Sequence, residues 1–158
     1  MKNSVLTAFY TPQAITAAIH EPLREAGIIP MRFLEPSAGT GVFISRFKEI
    51  PEIHCFEKDK LTGKILSSLY PESKVTIDGF QTIQSHYNNY FDMVSSNIPF
   101  GNTRIYDRDF DRSEDPVRKS SLRAVHNYFF LKGMDTLREG GIPVSYTHLR
   151  AHETPEHL

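Results

Sequence analysis

The sequence predicts an α/β protein built on a parallel sheet. Short apolar strands alternate with helix-patterned segments from residue 31 onward. Each strand closes on a polar residue, namely Glu35, Glu57, Asp78 and Asn97. These residues are spaced by 22, 21 and 19 positions, about one βα unit each. Strands repeating at that interval are joined by crossovers and run parallel, so the four polar residues fall on one carboxyl edge. In open α/β sheets that edge is where ligands bind.

Residues 12 to 26 read as a helix, with Thr11 as N-cap, Pro12 at the first helical position and Gly27 as the stop. Pro22 lies inside the pattern and predicts a kink or break. Met31 to Glu35 is a strand, Pro36-Ser37-Ala38-Gly39-Thr40-Gly41 a glycine-rich turn, and Val42 to Ile50 an apolar-periodic helix. The module recurs as a strand over Glu52 to Phe56 and a helix over Leu61 to Leu69. A third strand, Lys74 to Ile77, is followed by a short helical or irregular return over Phe80 to His86. Tyr90 to Ser95 is the fourth strand and leads into Asn97.

Residues 102 to 120 break this rhythm. Eleven of the twenty residues from Arg104 to Arg123 are charged, with both signs mixed, which predicts a mobile surface loop. Its basic residues Arg104, Arg108, Arg112, Arg118, Lys119 and Arg123 suit phosphate contacts, and its interleaved acids suit a self-paired, solvated loop equally well. Asp107, Asp109 and Asp111 hint at a calcium loop. Arg112 and Arg118 stand where its glycine and final glutamate belong, which argues against one. A helix follows from about Ser121 to Arg138, and the aromatics of His126 to Phe130 read as core in preference to base-stacking platforms. Glu139-Gly-Gly-Ile142 then turns toward a fifth strand. From Val144 to Leu158 three of the seven histidines appear with no clear register. The expectation is that the native domain occupies residues 1–142, and that 143–158 is an atypical tail from an assembly or cloning junction.

At 158 residues the chain suits one domain with a real core. Eighteen basic residues against nineteen acidic ones argue against an overall basic nucleic-acid-binding surface, though not against a local one. No apolar run reaches the length of a membrane span. The single cysteine, Cys55, permits no internal disulfide, and no close His/Cys cluster suggests zinc. A cytoplasmic protein with no metal and no membrane partner is expected.

The chemistry concentrates at the strand ends. Glycines 39 and 41 let a backbone approach a ligand closely, and the following segment offers unpaired N–H groups. Ile44 spoils a dinucleotide Gly-x-Gly-x-x-Gly fingerprint and no Gly-Lys-Ser/Thr follows, which disfavours dinucleotides and nucleoside triphosphates. A tight strand-to-helix turn is the plain alternative. Glu57 sits where nucleotide folds place an acid on the ribose hydroxyls, and it also reads as a solvated acid. Asp78 with Phe80 suits an adenine, and Asp78-Gly79 equally reads as a turn. Asn97-Ile98-Pro99-Phe100 sets an amide, a backbone carbonyl and an aromatic ring side by side.

Together, Phe9-Tyr-Thr-Pro12, Leu34-Glu-Pro-Ser-Ala-Gly-Thr-Gly-Val-Phe43, Phe56-Glu-Lys-Asp59, Asp78-Gly-Phe80 and Asn97-Ile-Pro-Phe100 resemble the S-adenosylmethionine-dependent DNA adenine-N6 methyltransferases. The order resembles the subgroup with its cofactor region first and its target-recognition region last. The resemblance covers residues 7 to about 142. It implies a Rossmann-like methyltransferase fold, mostly parallel, flanked by helices and lacking its last strands, with S-adenosylmethionine as cofactor and DNA as partner. It further implies that the chain is an N-terminal fragment and that a C-terminal target-recognition region belongs to the full-length protein.

By that resemblance Tyr10, Thr11 and Pro12 line the methionine end of the cofactor, and Glu35, Pro36, Ser37, Ala38, Gly39 and Gly41 its amino-acid portion. Glu57 with Lys58 takes the ribose, and Asp78, Gly79 and Phe80 take the adenine. Asn97, Ile98, Pro99 and Phe100 face a substrate base flipped out of the duplex. The family usually has proline where this chain has Ile98; the group used there is a carbonyl, which isoleucine retains. Related enzymes that methylate RNA adenine or the glutamine amide share the tetrapeptide, because each substrate presents a planar nitrogen. A truncated, non-catalytic cofactor- or DNA-binding fragment is the reading from another class.

Overall fold

The computed structural model describes residues 11–146 apart from Lys48, Pro51 and Asn102. Its five strands are β1 (Arg32–Glu35), β2 (Glu52–Phe56), β3 (Lys74–Thr76), β4 (Phe91–Asn97) and β5 (Leu137–Tyr146). They form one sheet in the order β3-β2-β1-β4-β5, and every pairing is parallel. The chain winds outward from β1 through β2 to β3, then returns to β4 on the other side of β1. The junction of β1 and β4 is therefore the topological switch point, the place where open α/β sheets bind their ligands.

Alternation along the strands divides the core in two. Phe33, Ile53, Cys55 and Met93 face one side, packed with Leu66 and with Ile19 and Leu23. These belong to α2 (Lys60–Leu69) and α1 (Gln13–Glu25). Leu34, Phe56 and Val94 face the other, joined by Phe91 because the strand is irregular between Phe91 and Met93, with Val125, Tyr128 and Phe129. Those last three lie on α5 (Val125–Thr136). A sheet covered on both faces explains why its strands read as nearly continuous apolar runs. At the amino ends, the Asp92 carboxylate accepts N–H bonds from Met31 and Arg32 (2.9 and 2.8 Å) and pairs with Arg138, tying β1, β4 and β5 together.

Several elements depart from the sequence expectation. Pro22 is accommodated inside α1, which runs unbroken to Glu25. The segment after the glycine-rich turn is a single 3-10 turn, Ile44–Arg46, rather than a helix to Ile50. The charged stretch expected to be a mobile loop holds α3 (Arg108–Arg112) and α4 (Pro116–Ser121). It is fastened from beneath. Asp107 is buried, accepts the Tyr128 hydroxyl at 2.5 Å and pairs with the Lys132 ammonium at 3.1 Å. Phe110 is 1% exposed and sits below the Arg118 guanidinium. The fifth strand runs past Ile142 to Tyr146, in register with Asn97. Pro143 costs it little, because β5 is the outer strand of the described sheet. The remainder of the tail, 147–158, lies outside the described residues.

Candidate functional site

The site assembles at the carboxyl ends of β1, β2 and β4, around the glycine-rich turn. Glu35 is the last residue of β1 and 1% exposed. The Ile44 backbone N–H bonds its carboxyl, while Oε2 has no partner among the described residues. Burial pushes this acid well above the ordinary carboxylate range, the Ile44 bond opposes that, and the nearby Glu57 charge adds to it. A buried acid whose second oxygen has no partner among the described residues is a ready acceptor for a cationic group.

Pro36 and Ala38 are buried and Ser37 half-buried. The Ala38 N–H donates to the Phe56 carbonyl at 2.9 Å, and the Ser96 hydroxyl bonds the Ser37 carbonyl at 3.3 Å. The turn is thereby pinned to β2 on one side and β4 on the other. Gly39 has φ +54° with open space where a side chain would begin. Gly41 has φ +83°, and a Cβ there would lie 2.4 Å from the Tyr70 ring. The Tyr70 hydroxyl donates to the Gly41 carbonyl at 3.1 Å. Only glycine serves both demands at position 41.

Glu57 follows β2, and its carboxylate accepts the N–H groups of Gly39 and Asp59, each at 2.8 Å. Asp59 in turn caps α2 through the Thr62 N–H. Lys58 is exposed and points to no described partner. Asp78 is exposed beyond β3, and its carboxylate accepts the Gly79 N–H at 2.7 Å. Phe80 is 1% exposed, its ring edge-on to Phe56 and tilted against Phe129. Its ring is a part of the core floor rather than an open face. Thr11 is buried and Pro12 exposed; Pro12, rather than Thr11, is the N-cap of α1, whose first helical residue is Gln13. The Arg46 guanidinium reaches back to the Gln13 carbonyl at 2.9 Å and so ties this start to the turn after Gly41. Tyr10 lies outside the described residues.

Asn97 ends β4, directly opposite Tyr146 of β5. Ile98 is buried, and its N–H donates to the Tyr146 carbonyl at 3.0 Å. A proline at 98 would lack that bond, so isoleucine extends the β4–β5 ladder by one step. Pro99 is half-buried and Phe100 is 52% exposed. Gly101 takes φ +134°, and its carbonyl accepts the Val125 N–H at 3.3 Å, holding the tetrapeptide to the start of α5.

Three contributors escaped the sequence reading. Tyr70 and Ser96 meet the glycine-rich turn from 29 and 59 positions away, which no local pattern signals. His126, grouped with core aromatics, instead stacks on Phe100 with centroids 5.1 Å apart and planes at 20°. Tyr128 and Phe129 do lie in the core, while Phe130 is 47% exposed.

No protein-family model matches the sequence. The chain is 32% identical over 140 residues to the "Defense against restriction protein B" of Escherichia phage P1. That match takes in 86% of this chain and 6% of the phage protein, so the chain spans a small fraction of its relative. Among solved structures it resembles an assigned RNA methyltransferase of Pyrococcus horikoshii, with a TM-score of 0.61 at 21% identity over 92% of this chain and 65% of the other. It also resembles the modification subunit of an assigned type I restriction enzyme of Vibrio vulnificus, with a TM-score of 0.63 at 16% identity, over 84% and 31%. An S-adenosylhomocysteine-bound methyltransferase of Podospora anserina matches with a TM-score of 0.53 at 12% identity, over 86% and 53%. The chain has the Rossmann-like methyltransferase fold.

Proposed function

We propose that this chain carries the cofactor and catalytic portion of an S-adenosylmethionine-dependent methyltransferase that modifies the exocyclic N6 of adenine in DNA. The observation that carries the reading is the switch point itself. The glycine-rich turn after β1 and the Asn97 tetrapeptide at the end of β4 lie side by side at the same sheet edge, linked by the Ser96–Ser37 hydrogen bond. The likeness to a phage protein named for defence against restriction and to a restriction-enzyme modification subunit favours DNA.

The residues around the turn fit the cofactor chemically. Glu35 offers a buried oxygen without a partner among the described residues, and the Glu57 carboxylate stands close enough to perturb it. Gly39 leaves open space beside them. Once bound, S-adenosylmethionine supplies an electrophilic sulfonium methyl group. Glu35 then suits the ammonium of the amino-acid portion and Glu57 the ribose hydroxyls, with Thr11, Pro12 and the segment from Pro36 to Gly41 enclosing the rest. Asp78 suits the adenine amine, and Phe80 underlies that region as packed floor.

Adenine N6 is a weak nucleophile because its lone pair is delocalised into the ring. The Asn97 side-chain oxygen and the Ile98 carbonyl are acceptors for its two hydrogens. As the nitrogen becomes tetrahedral and positive these acceptors bind it more strongly, which is differential stabilisation of the transition state. The alkylated nitrogen is acidic enough to lose its proton without a strong base. Phe100 gives a planar face for the base, worth about 1–3 kcal/mol. A duplex adenine reaches this pocket only when flipped out of the stack.

The test is a filter assay with tritiated S-adenosylmethionine on DNA, RNA and protein, using the chain alone and the full-length protein. Label is expected in DNA adenine. Asn97→Ala is expected to remove at least about 10²-fold of the rate while cofactor binding by calorimetry persists. Label in RNA adenine or glutamine would move the substrate and keep the site. Retained transfer by Asn97→Ala would overturn the role given to the amide.

A further inference from the structure

The Phe100 ring would serve a planar substrate only if something fixes its angle, and the sequence around it does little of that. Phe100 is half-exposed on a short connection, and the next residue, Gly101, is a glycine at φ +134°. One side chain does engage it. The His126 imidazole lies nearly parallel to the Phe100 ring, 5.1 Å between centroids and 20° between planes. His126 is the second residue of α5, whose start is fixed to the tetrapeptide by the Val125 N–H to Gly101 carbonyl bond. Its Nδ1 is buried with no partner among the described residues, so no hydrogen bond at that nitrogen orients the imidazole.

We propose that His126 is a positioning residue of the substrate site: it backs one face of Phe100 and holds that ring so that the opposite face meets a planar adenine. This rests on reading Asn97–Phe100 as an adenine site. A stack of planar rings is retained by any aromatic of similar size, whereas an aliphatic or truncated side chain leaves Phe100 free to turn. The contribution is to substrate binding through Phe100, so it differs from that of Asn97, which acts on the reacting nitrogen.

The chain contains no tryptophan, which makes Phe100→Trp a single fluorescent reporter at the site. Acrylamide quenching and anisotropy of that indole would be compared in otherwise native chain, with His126→Ala and with His126→Phe. A single-stranded deoxyadenosine dodecamer would then be titrated into each. The expected result is an indole more mobile and at least twofold more quenchable with His126→Ala, near its starting value with His126→Phe, and roughly tenfold weaker oligonucleotide binding with His126→Ala alone. Unchanged indole mobility in His126→Ala overturns the proposal. So does equal loss in the two His126 variants, since a planar ring would then not be what matters. So does a loosened indole with undiminished oligonucleotide affinity. A reporter in the otherwise native chain that ignores the oligonucleotide, together with no adenine labelling in the filter assay, sinks the adenine reading and this inference with it. Labelling without the His126 effects sinks this inference alone.

Discussion

The Glu57 carboxylate accepts the Gly39 N–H at 2.8 Å, so the acid closing β2 is fastened to the turn that follows β1. One oxygen shapes the glycine-rich turn, and the other accepts the Asp59 N–H at the entrance to α2. Residues 18 positions apart thus fix the turn to the end of β2. Glu57→Ala should weaken S-adenosylhomocysteine binding by at least about tenfold, since charge-assisted bonds of this kind are worth about 1.5–3 kcal/mol. Isothermal calorimetry reads the affinity, and circular dichroism should report an intact fold. Affinity within twofold of the native chain would refute this use of Glu57.

Gly41→Ala should cost stability. The new Cβ would meet the Tyr70 ring at 2.4 Å and Leu66 at 2.9 Å, on a backbone at φ +83°. Strain and overpacking together predict a loss of about 2–4 kcal/mol in urea denaturation. Trimming the wall with Tyr70→Ala should recover only the Tyr70 share of the steric part, because the Leu66 contact and the positive φ remain. Gly39→Ala, with open space at its Cβ, should lose only the conformational part.

Glu35 makes stability fall as pH rises. Its folded-state pKa is raised, first by burial, against the Ile44 bond and with the Glu57 charge adding to the rise. The unfolded chain releases that proton in the ordinary carboxylate range and the folded chain does so later. The stability it contributes is therefore whole below that range and is lost progressively as pH climbs to the folded value. Glu35→Gln should remove this component, flatten the profile above pH ~5 and raise ligand-free stability there. The same change should weaken S-adenosylhomocysteine binding. A variant with the slope intact would place the titration elsewhere.

Asp107 anchors the charged segment over residues 104–123. Burial raises this carboxyl, but the Tyr128 hydroxyl, the Phe110 N–H and the Lys132 ammonium outweigh it and hold it below the usual range. Asp107→Ala leaves Lys132 buried beside no counter-ion and should cost about 3–5 kcal/mol. Limited proteolysis should then cut the segment that resists it in the native chain. Adding Lys132→Met to Asp107→Ala should restore part of the loss, and full additivity of the two losses would argue against a coupled pair.

The first four strands were legible, with Glu35 and Asn97 closing β1 and β4, because both rest on local pattern; Glu57 lies one residue past β2 and Asp78 two past β3. Apolar runs at βα spacing predict a parallel sheet whatever the neighbours are, and the strand ends must then share an edge. The segment after Gly41 was harder. Its apolar periodicity suits a helix, yet Ile44 and Phe43 are drawn into the core and leave only a 3-10 turn. The stretch from Arg104 to Arg123 was misread for a related reason. Its charges look solvated in sequence, whereas Asp107 and Arg118 find Lys132, Tyr128 and Asp135 on a helix that comes later.

The same division runs through the site. The sequence alone determined which chemical groups gather at the sheet edge, because strand spacing fixes which residues end a strand. It could not determine how those groups meet one another. Glu57 on Gly39, Tyr70 on Gly41, Ser96 on Ser37, and His126 against Phe100 all join residues 18 or more positions apart. Phe80 likewise took its place in the core from contacts with Phe56 and Phe129. Hydrogen bonds and ring contacts act over a few ångströms, so only the packed fold decides which distant residues come within that range.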